Sequence, residues 1–242
     1  MKQIYDRTAL LIGQQGLDCL RQSHVLVAGV GGVGSFAVEA LTRAGVGHLT
    51  LLDNDTVDIT NLNRQIHATQ KTVGQPKVQV MAERIAEINP DIQVQCIQAF
   101  LLDDNIETIL GGQSFDYIID AVDTVTAKLA LILYGRAKGI PVISSMGTAN
   151  KLDATKFEIT DISKTHTCPL ARVMRKELRD RGIASGVEVL YSTAKPVYRP
   201  VAAQAGEKPV PGSISYVPPV AGLLLAGHVI QQLLGQHGLL EP

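Results

Sequence analysis

Cysteine is scarce in this chain, and the three cysteines lie too far apart in the sequence to pair as metal ligands. Cys19, Cys96 and Cys168 form no C-x-x-C motif, which excludes a structural zinc site of the paired-cysteine type. An odd and sparse cysteine count is typical of a protein that stays in the reducing cytosol. We therefore expect a cytoplasmic protein without a structural zinc centre.

The chain also has no strong charge and no uninterrupted hydrophobic run. Its formal net charge is −1, so no overall field attracts nucleic acid, although a local basic patch remains open. The N-terminus lacks the apolar region and cleavage site of a signal peptide. The most apolar segment, 217–234, contains two prolines, and we expect it to be a buried amphipathic helix too broken to span a membrane. No membrane partner is predicted.

Alternating strand and helix patterns predict the fold class. The 242 residues are enough for one sizeable core with a small appendage, and no internal repeat is present. Strands are predicted at 25–28, 49–52, 92–96, 115–120, 141–145, 156–161 and 187–192. Helices are predicted at 1–24, 33–44, 77–88, 101–110, 124–138, 170–181 and 217–234, with a long loop over 195–219. This alternation predicts an α/β, Rossmann-like, doubly wound and mostly parallel sheet with helices on both faces and a small C-terminal extension.

A glycine-rich turn joins the first predicted strand to the first long helix after it. Gly29, Gly31 and Gly34 follow the G-x-G-x-x-G order, and the next strand ends at Asp53, about 20 residues further on. The glycines allow the backbone to approach phosphate, and the helix N-terminus offers free N–H groups. Asp53 can accept hydrogen bonds from ribose hydroxyls. The sequence therefore predicts a nucleotide site at this turn.

Polar and basic residues follow the acid at the end of the second strand. They are Asp55, Asn61, Arg64, Gln65 and Lys77. Such a group suits a triphosphate whose charge must be neutralised during reaction, and it exceeds what a pyrophosphate diester requires. We interpret Arg64 and Lys77 as cations that neutralise an α-phosphate under attack, with ordinary surface charge as the alternative.

Asp123 closes an Asp-Ala-Val-Asp sequence directly after the fourth predicted strand. A carboxylate at this place is a natural ligand for Mg²⁺, which takes one or two protein oxygens together with phosphate. The alternative is an acid that stabilises the dipole of the helix that follows. The neighbouring nucleotide residues favour magnesium.

The helix predicted at 170–181 is strongly basic. Its cations are Arg172, Arg175, Lys176, Arg179 and Arg181. They could hold a phosphodiester backbone such as that of tRNA, and a solvated helix face is the alternative.

Two kinds of side chain near this helix also invite a functional interpretation. Tyr191 and Tyr198 could stack on bases, although packing is the more common role. Cys168 precedes the helix and could be reactive. We favour an inert thiol, because no base with an orienting partner is recognisable in the sequence.

The chain resembles the ubiquitin-activating superfamily, which includes the ThiF proteins. The resemblance rests on the stretches GVGGVG at 29–34, LDND at 52–55, NLNRQ at 61–65, GQPK at 74–77 and DAVD at 120–123. It implies one adenylating domain over 1–242, with a nucleotide-binding core at 1–150 and, at 151–242, an extension facing the substrate and tRNA together with the C-terminal helix. It implies that Asp53 binds ribose and that Asn61, Arg64, Lys77 and Asp123 serve the triphosphate and its magnesium. The nucleotide-contacting residues it implies are Gly29, Gly31, Gly32, Gly34, Asp53, Asp55, Asn61, Arg64, Gln65 and Lys77.

The N-terminal region resembles these proteins as well. Arg7 is similar to the arginine that reaches into the partner subunit's site in the homodimers of this superfamily, whereas the sequence alone favours a surface arginine. The resemblance thus implies a homodimer with Arg7, Arg64, Lys77 and Asp123 as its catalytic set.

Within the superfamily the chain is most similar to the tRNA threonylcarbamoyladenosine dehydratases. The supporting stretches are NRQIHA at 63–68, MAERIAEINP at 81–90, PLA at 169–171 and YST at 191–193. The similarity implies ATP-dependent cyclisation of threonylcarbamoyladenosine beside the tRNA anticodon, through an acyl-adenylate, with ATP and Mg²⁺. The similarity also implies a monovalent cation (Na⁺ or K⁺) as a further cofactor and a cysteine-desulfurase sulfur-acceptor system as a further partner.

Three alternatives remain open from the sequence. One is an adenylyltransferase that activates the C-terminus of a ubiquitin-like sulfur-carrier protein. Its usual paired zinc cysteines and acceptor cysteine are missing here. The others are an NAD-dependent oxidoreductase and a catalytically silent dimerisation module, and the intact polar group around Arg64 and Lys77 argues against both.

Overall fold

The structure, a computed structural model, describes residues 4–197 and 211–239. Its strands are β1 (His24–Ala28), β2 (His48–Leu52), β3 (Gln93–Ile97), β4 (Tyr117–Asp120), β5 (Val142–Ser145), β6 (Phe157–Asp161) and β7 (Glu188–Ser192). Its helices are α1 (Asp6–Gln22), α2 (Gly34–Ala44), α3 (Lys77–Ile88), α4 (Ile106–Leu110), α5 (Val125–Lys138), α6 (Pro169–Arg179) and α7 (Val217–Gln236). Three short 3₁₀ turns lie at Ile59–Asn61, Ala154–Lys156 and Ile162–Lys164.

The seven strands form one sheet in the order β3-β2-β1-β4-β5-β7-β6. Every neighbouring pair is parallel except β6 and β7, which are antiparallel. The chain winds outward from β1 in one direction to β3 and then in the other direction from β4, so the strand order reverses between β1 and β4. The prediction of a doubly wound, mostly parallel sheet is confirmed, and β6 and β7 extend that same sheet.

The register brings the carboxyl ends of the central strands to one level. Ala28 at the end of β1 pairs with Leu52 on one side and with Asp120 on the other. Asp120 in turn pairs with Ser144 of β5. Ligands in sheets of this kind bind beyond the carboxyl ends of the strands, at the point where the strand order reverses.

Both faces of the sheet are covered by helices. In β1, Val25 and Val27 pack into one buried cluster with α2, α3 and α7, while Leu26 and Ala28 pack into another with α4 and α5. All four side chains are fully buried. A strand buried on both faces is a near-continuous hydrophobic run, which is the pattern of residues 25–28.

The C-terminal helix α7 crosses α2 closely. A Cβ atom at Gly222 would lie 2.2 Å from the carbonyl oxygen of Val33, so this crossing requires glycine. The expectation that prolines break this segment is wrong, because Pro218 and Pro219 lie in the first turn, where proline is tolerated. By length and composition α7 could cross a membrane, and 56% of its most apolar window is buried within the protein. The predicted burial of this helix is confirmed.

Three predicted elements differ from the structure by more than two residues. The helix predicted at 101–110 spans only Ile106–Leu110, because the Asn105 side chain accepts from the Leu102 N–H and donates to the Phe100 carbonyl, which holds a turn instead. The N-terminal helix begins at Asp6 and bends at Gly13, where φ is 69°. Of the loop predicted at 195–219, residues 217–219 belong to α7, and residues 198–210 lie outside the described residues.

Candidate active site

A cavity of about 410 Å³ lies over the carboxyl ends of the central strands. Its wall is formed by the glycine turn after β1 and by the loops after β2, β3, β4 and β5, together with residues of the turn region between β2 and α3. The sequence-predicted residues in this wall are Gly29, Gly31, Gly32, Asp53, Asp55, Asn61, Arg64, Gln65, Lys77 and Asp123. The structure thus brings together ten of the residues that the motifs single out.

The glycine turn is shaped by close backbone approach. Gly29 has a φ of 85°, and a Cβ atom there would lie 2.6 Å from the carbonyl oxygen of Ala121. A Cβ atom at Gly34 would lie 1.7 Å from the carbonyl oxygen of Gly29. Gly34 therefore permits the tight entry into α2 and does not itself line the cavity, whereas Gly31 and Gly32 do. The open backbone of this turn fits the approach of a phosphate group.

Asp53 ties the end of β2 to the glycine turn. Its carboxylate accepts hydrogen bonds from the Val30 N–H at 2.7 Å and from the Asp55 N–H at 2.9 Å. Burial raises its pKa above the ordinary value, while Lys77 and the two backbone hydrogen bonds oppose that rise. A carboxylate has about four acceptor positions, so two remain for ribose hydroxyls.

Lys77 opens α3 and extends into the cavity. Its Nζ lies 2.7 Å from Asp55 Oδ2, and its side chain is buried while that of Asp55 is exposed. The pair links the loop after β2 to the N-terminus of α3. The cation is thereby held at the cavity wall, where an anionic ligand can reach it.

Asn61, Arg64 and Gln65 line the cavity from the turn region between β2 and α3. Asn61 Oδ1 accepts from the Asp58 N–H, which fixes the 3₁₀ turn at this point. Arg64 donates from Nη1 to the carbonyl oxygen of Thr60 at 3.0 Å and to Oδ1 of Asn63 at 2.8 Å. The guanidinium is thus held by uncharged acceptors, which leaves its positive charge uncompensated at these contacts.

Gln65 supplies the observation that tests whether a nucleotide fits. It is 6% exposed, and its Oε1 has no hydrogen-bond partner within residues 4–197 and 211–239. A buried polar atom without a partner is costly, and this one belongs to a side chain in the cavity wall. Together with the open glycine turn, it fits a ligand that offers donors and phosphate oxygens, as ATP does.

Asp123 lies exposed in the cavity wall after β4. The described part of the chain contains no group of three or more His, Cys, Asp or Glu side chains that could hold a metal ion. Asp123 could hold Mg²⁺ only together with phosphate oxygens and water, which is an ordinary arrangement for this ion at nucleotide sites. Asp123 also directly precedes Thr124, the N-cap of α5, so it can serve the helix dipole as well.

A buried ion pair beneath the cavity was missed by sequence reasoning. Lys128 of α5 and Asp120 of β4 are both fully buried, with Nζ 3.2 Å from each carboxylate oxygen. Lys128 also lies 2.6 Å from the carbonyl oxygen of Ser145, and the Ser144 hydroxyl donates to Asp120. The one available signal was a lysine inside the apolar helix 124–138, five residues after Asp123.

His67 is a second residue that sequence reasoning passed over. It is 3% exposed, and neither ring nitrogen has a partner among the described residues. Burial first, and then the positive charges of Lys77 and Arg84, lower its pKa to about 4. The imidazole is therefore neutral near pH 7. No sequence signal distinguished it, since histidine in a polar loop is usually exposed.

The basic side chains of α6 are of two kinds, exposed and structural. Arg172, Lys176 and Arg179 are exposed on α6, whereas Arg175 donates from Nη1 to the Thr165 carbonyl at 2.9 Å and to the Thr165 hydroxyl. Arg175 thus anchors the helix to the preceding loop. Whether it also binds tRNA stays a prediction, as it does for the three exposed cations.

The other candidates near α6 are buried. Tyr191 is 2% exposed and donates to Glu158, so the stacking role is wrong for it and packing is confirmed. Cys168 is 3% exposed, precedes α6 and does not line the cavity, which agrees with an inert thiol. Tyr198 lies outside the described residues.

Arg7 lies on exposed α1, away from the cavity of its own chain. The neighbouring Tyr5 donates to the carbonyl of Thr42 near the end of α2, at the edge of the sheet opposite the cavity. Leu10 and Leu11 of the same helix are 86% and 84% exposed. An arginine so placed can act at a cavity only if that cavity belongs to another copy of the chain.

Comparisons with known proteins agree with the motifs. Residues 5–241 match the ThiF family. A tRNA threonylcarbamoyladenosine dehydratase of Bacillus subtilis (strain 168) is 48% identical over 240 residues, which cover 95% of this chain and 94% of that protein. A molybdopterin-synthase adenylyltransferase of Salmonella typhimurium is 36% identical over 166 residues, which cover 68% of this chain and 66% of that protein.

A solved structure matches the whole fold. The crystal structure of the Escherichia coli dehydratase TcdA in complex with ATP superimposes with a TM-score of 0.87 at 36% identity, covering 97% of this chain and 95% of that one.

Proposed function

The chain belongs to the ThiF family, and on this basis we propose that it is an ATP-dependent tRNA threonylcarbamoyladenosine dehydratase. One observation carries the proposal: a nucleotide-sized cavity brings Arg64, Lys77 and Asp123 together with the orphaned oxygen of Gln65. It does so in a chain that is 48% identical, over nearly its full length, to a dehydratase of this name.

The residues around the cavity divide the work of binding ATP. The glycine turn receives phosphate on its backbone, and Asp53 accepts from the ribose hydroxyls. Asn61, Arg64 and Lys77 also line the cavity, and in this proposal they would contact the triphosphate. Asp123 would hold Mg²⁺, which supplies Lewis-acid stabilisation of charge on the phosphates.

The reaction activates one end of the substrate side chain and closes it on itself. The carboxylate of the threonylcarbamoyl group attacks the α-phosphorus of ATP, and pyrophosphate leaves with the electrons of the broken bond. The ureido nitrogen then attacks the carbonyl carbon of the acyl-adenylate. AMP departs with the carboxylate oxygen, the nitrogen loses a proton, and the ring is formed with net loss of water.

Arg64 and Lys77 offset the negative charge that develops at phosphorus in the first step. Groups of this kind act strongly because they are held in place before the reaction begins, and Asp55 and Thr60 hold these two cations. The second step needs no external nucleophile, because the attacking nitrogen and the activated carbonyl belong to the same side chain. Proximity therefore supplies much of its rate.

A second copy of the chain completes the site. Leu10 and Leu11 leave an apolar surface on α1 that a partner would cover, and Arg7 lies one turn before them. In such a homodimer Arg7 would extend toward the triphosphate in the partner's cavity. The homodimer and this role of Arg7 rest on the resemblance and on the exposure of α1.

The tRNA backbone would lie along α6. Leu170 at the start of this helix belongs to the cavity wall, and the exposed Arg172, Lys176 and Arg179 lead away from it. A nucleotide inserted into the cavity would therefore bring its flanking phosphates to these cations. We place the reaction in the cytoplasm, as the sparse cysteine content suggests. The monovalent cation and the sulfur-acceptor system stay predictions from the resemblance.

Nucleoside mass spectrometry tests the function directly. Purified protein, ATP and Mg²⁺ are incubated with tRNA that carries uncyclised threonylcarbamoyladenosine, and the digested nucleosides are weighed. We expect an ATP-dependent loss of one water from that nucleoside. An unchanged mass would refute the proposal.

One other function has a specific observation in its favour, namely the 36% identity to a molybdopterin-synthase adenylyltransferase. It would reveal itself as ATP–pyrophosphate exchange that depends on a carrier protein with a Gly-Gly tail and not on tRNA.

A further inference from the structure

Residues 145–149, which are the last residue of β5 and the loop after it, form the side of the cavity farthest along the sheet from Asp53. We call it the β5 wall. The ribose-binding Asp53 follows β2, the phosphate-binding glycines follow β1, and Asp123 follows β4. In the order β2-β1-β4-β5 the wall lies three strands away from Asp53, roughly 14 Å at the usual strand spacing. ATP bound from β2 to β4 would leave this side for another reactant.

The β5 wall presents unused hydrogen-bond donors. Met146 donates its N–H to Leu190 at 2.7 Å, and Asn150 donates its N–H to Gly212 at 2.8 Å. Between them, the N–H groups of residues 147–149 find no acceptor within the described ranges, and neither does the hydroxyl of Thr148. All five wall residues line the cavity. Such a row of donors suits a carboxylate and a ureido carbonyl.

The buried ion pair beneath the cavity fixes the position of this wall. Lys128 donates to the carbonyl oxygen of Ser145, the first wall residue, at 2.6 Å. The same ammonium contacts both oxygens of Asp120 at 3.2 Å, and Asp120 also accepts from the Val122 N–H, two residues after β4 ends. Lys128 thereby links the wall to the loop that carries Asp123. A shift of the lysine would shift the wall relative to the phosphates.

We propose that the β5 wall is the subsite for the threonylcarbamoyl side chain and that Lys128 is the positioning residue that holds it. This inference rests on the proposed function, because it assigns the second reactant of that same reaction. The wall binds the carboxylate and ureido groups so that a carboxylate oxygen faces the α-phosphorus. Lys128 touches neither reactant and acts through Ser145.

A double variant separates positioning from folding. Lys128→Met alone would leave the Asp120 carboxylate buried without its partner, which is strongly destabilising. Asp120→Asn combined with Lys128→Met removes both charges and keeps the side-chain sizes similar. The matched control is Glu39→Gln combined with Arg84→Met, which removes a 2.7 Å ion pair between α2 and α3 whose members do not line the cavity.

Thr148→Val tests the wall itself. The substitution keeps the side-chain shape and removes a hydroxyl that makes no hydrogen bond to another described residue. Folding should therefore be unaffected, and any change arises from the ligand that the hydroxyl contacts.

Two readouts are compared for each variant: the dissociation constant for ATP without tRNA, and kcat/KM for modified tRNA at saturating ATP. For the double variant we expect ATP affinity within about twofold of the wild type and kcat/KM for tRNA lower by about 10- to 100-fold. For Thr148→Val we expect a loss of about five- to tenfold in kcat/KM. The Glu39/Arg84 control should change neither value by more than about twofold.

Results that differ from these expectations contradict the inference. An unchanged kcat/KM for tRNA in either variant overturns the subsite, and an equal loss of ATP affinity shows that the ion pair supports the whole cavity instead. The wild type in the same assay tests the proposed function separately. If it does not cyclise modified tRNA, the function fails, whereas a failure of the inference leaves wild-type turnover intact.

Discussion

Lys77 and Asp55 form an ion pair inside the cavity, with Nζ 2.7 Å from Oδ2. The lysine side chain is 7% exposed and the aspartate side chain 57% exposed. The cation is thus held from its solvent side, and its charge remains close to the glycine turn. A triphosphate that enters the cavity would place the ammonium group between two anions, with Asp55 fixing it from the solvent side.

Removal of Lys77 should stop adenylation. Lys77→Met eliminates one of the cations that offset charge at the α-phosphorus, and we expect kcat for cyclisation to fall by about 100- to 1,000-fold. Stability should change by less than about 1 kcal/mol, because the lost ion pair has an exposed partner. Cyclisation is measured by nucleoside mass spectrometry and stability by denaturant unfolding. Lys71→Met, which removes an exposed lysine that does not line the cavity, is the matched control and should keep the rate.

Asp123 should be required for the metal-dependent step. We expect Asp123→Ala to abolish ATP–pyrophosphate exchange in the presence of modified tRNA, because the phosphates then lose the protein ligand of their magnesium. Asp104→Ala removes an exposed carboxylate that does not line the cavity and should leave exchange intact. A fully active Asp123→Ala protein would show that Asp123 is not the ligand of the magnesium ion.

His67 should make the protein less stable in mild acid. Its pKa is lowered from 6.5 to about 4 in the folded state, so between these values the unfolded chain binds a proton that the folded chain does not. The contribution of neutral His67 to the free energy of unfolding is complete above pH 6.5 and is lost as the pH falls through 4. It amounts to about 3 kcal/mol.

Denaturant unfolding at several pH values from 7 to 4 tests this. His67→Gln cannot titrate, so its free energy of unfolding should fall less steeply than that of the wild type over the same range. If the free energy of unfolding falls equally steeply with pH in both proteins, His67 is protonated as easily in the folded protein as in the unfolded chain.

The exposed cations of α6 should contribute to tRNA affinity without contributing to the fold. We expect Arg172→Gln and Lys176→Gln each to weaken tRNA binding and to lower the slope of log K against log salt by about one. Arg175→Gln should instead lower the melting temperature, because Arg175 holds Thr165. Filter binding at several salt concentrations and thermal unfolding distinguish the two effects. An unchanged salt slope in the first two variants would remove α6 from the tRNA interface.

Arg7 should act across the dimer. We expect Arg7→Ala and Lys77→Met each to be nearly inactive alone and to regain activity when mixed and allowed to exchange subunits. One cavity of the mixed dimer then has both an intact Lys77 and a partner with an intact Arg7. Random pairing gives about a quarter of wild-type activity. If the mixture stays inactive while mixed dimers are seen by mass spectrometry, Arg7 does not act in the partner's site.

The residues that the motifs single out and that line one cavity all lie in the segments that follow predicted strands. Asp53, Lys77 and Asp123 meet at one cavity because the carboxyl ends of parallel strands lie at the same edge of the sheet. Order along the chain and the spacing of the glycines were enough to place them together. Their roles toward nucleotide and metal stay predictions.

Other features depend on contacts between distant residues and have no local pattern. Lys128 is fully buried because Asp120 and Ser145 receive its charge, whereas a lysine is exposed in most proteins. The turn before α4 depends on the side-chain hydrogen bonds of Asn105, which override the helical pattern of 101–110. Neither set of partners can be recognised from sequence spacing.

The position of β7 has a consequence for synthesis on the ribosome. This strand lies between β5 and β6, although both of those precede it in the chain. The hydrogen-bonding edge of β5 therefore stays open until Glu188–Ser192 has emerged, which at about 5–20 residues per second is a matter of seconds. An open strand edge is a template for pairing with other chains. Nascent chains thus pass through an aggregation-prone stage before β7 arrives, and a truncated product that ends before Glu188 would never leave it.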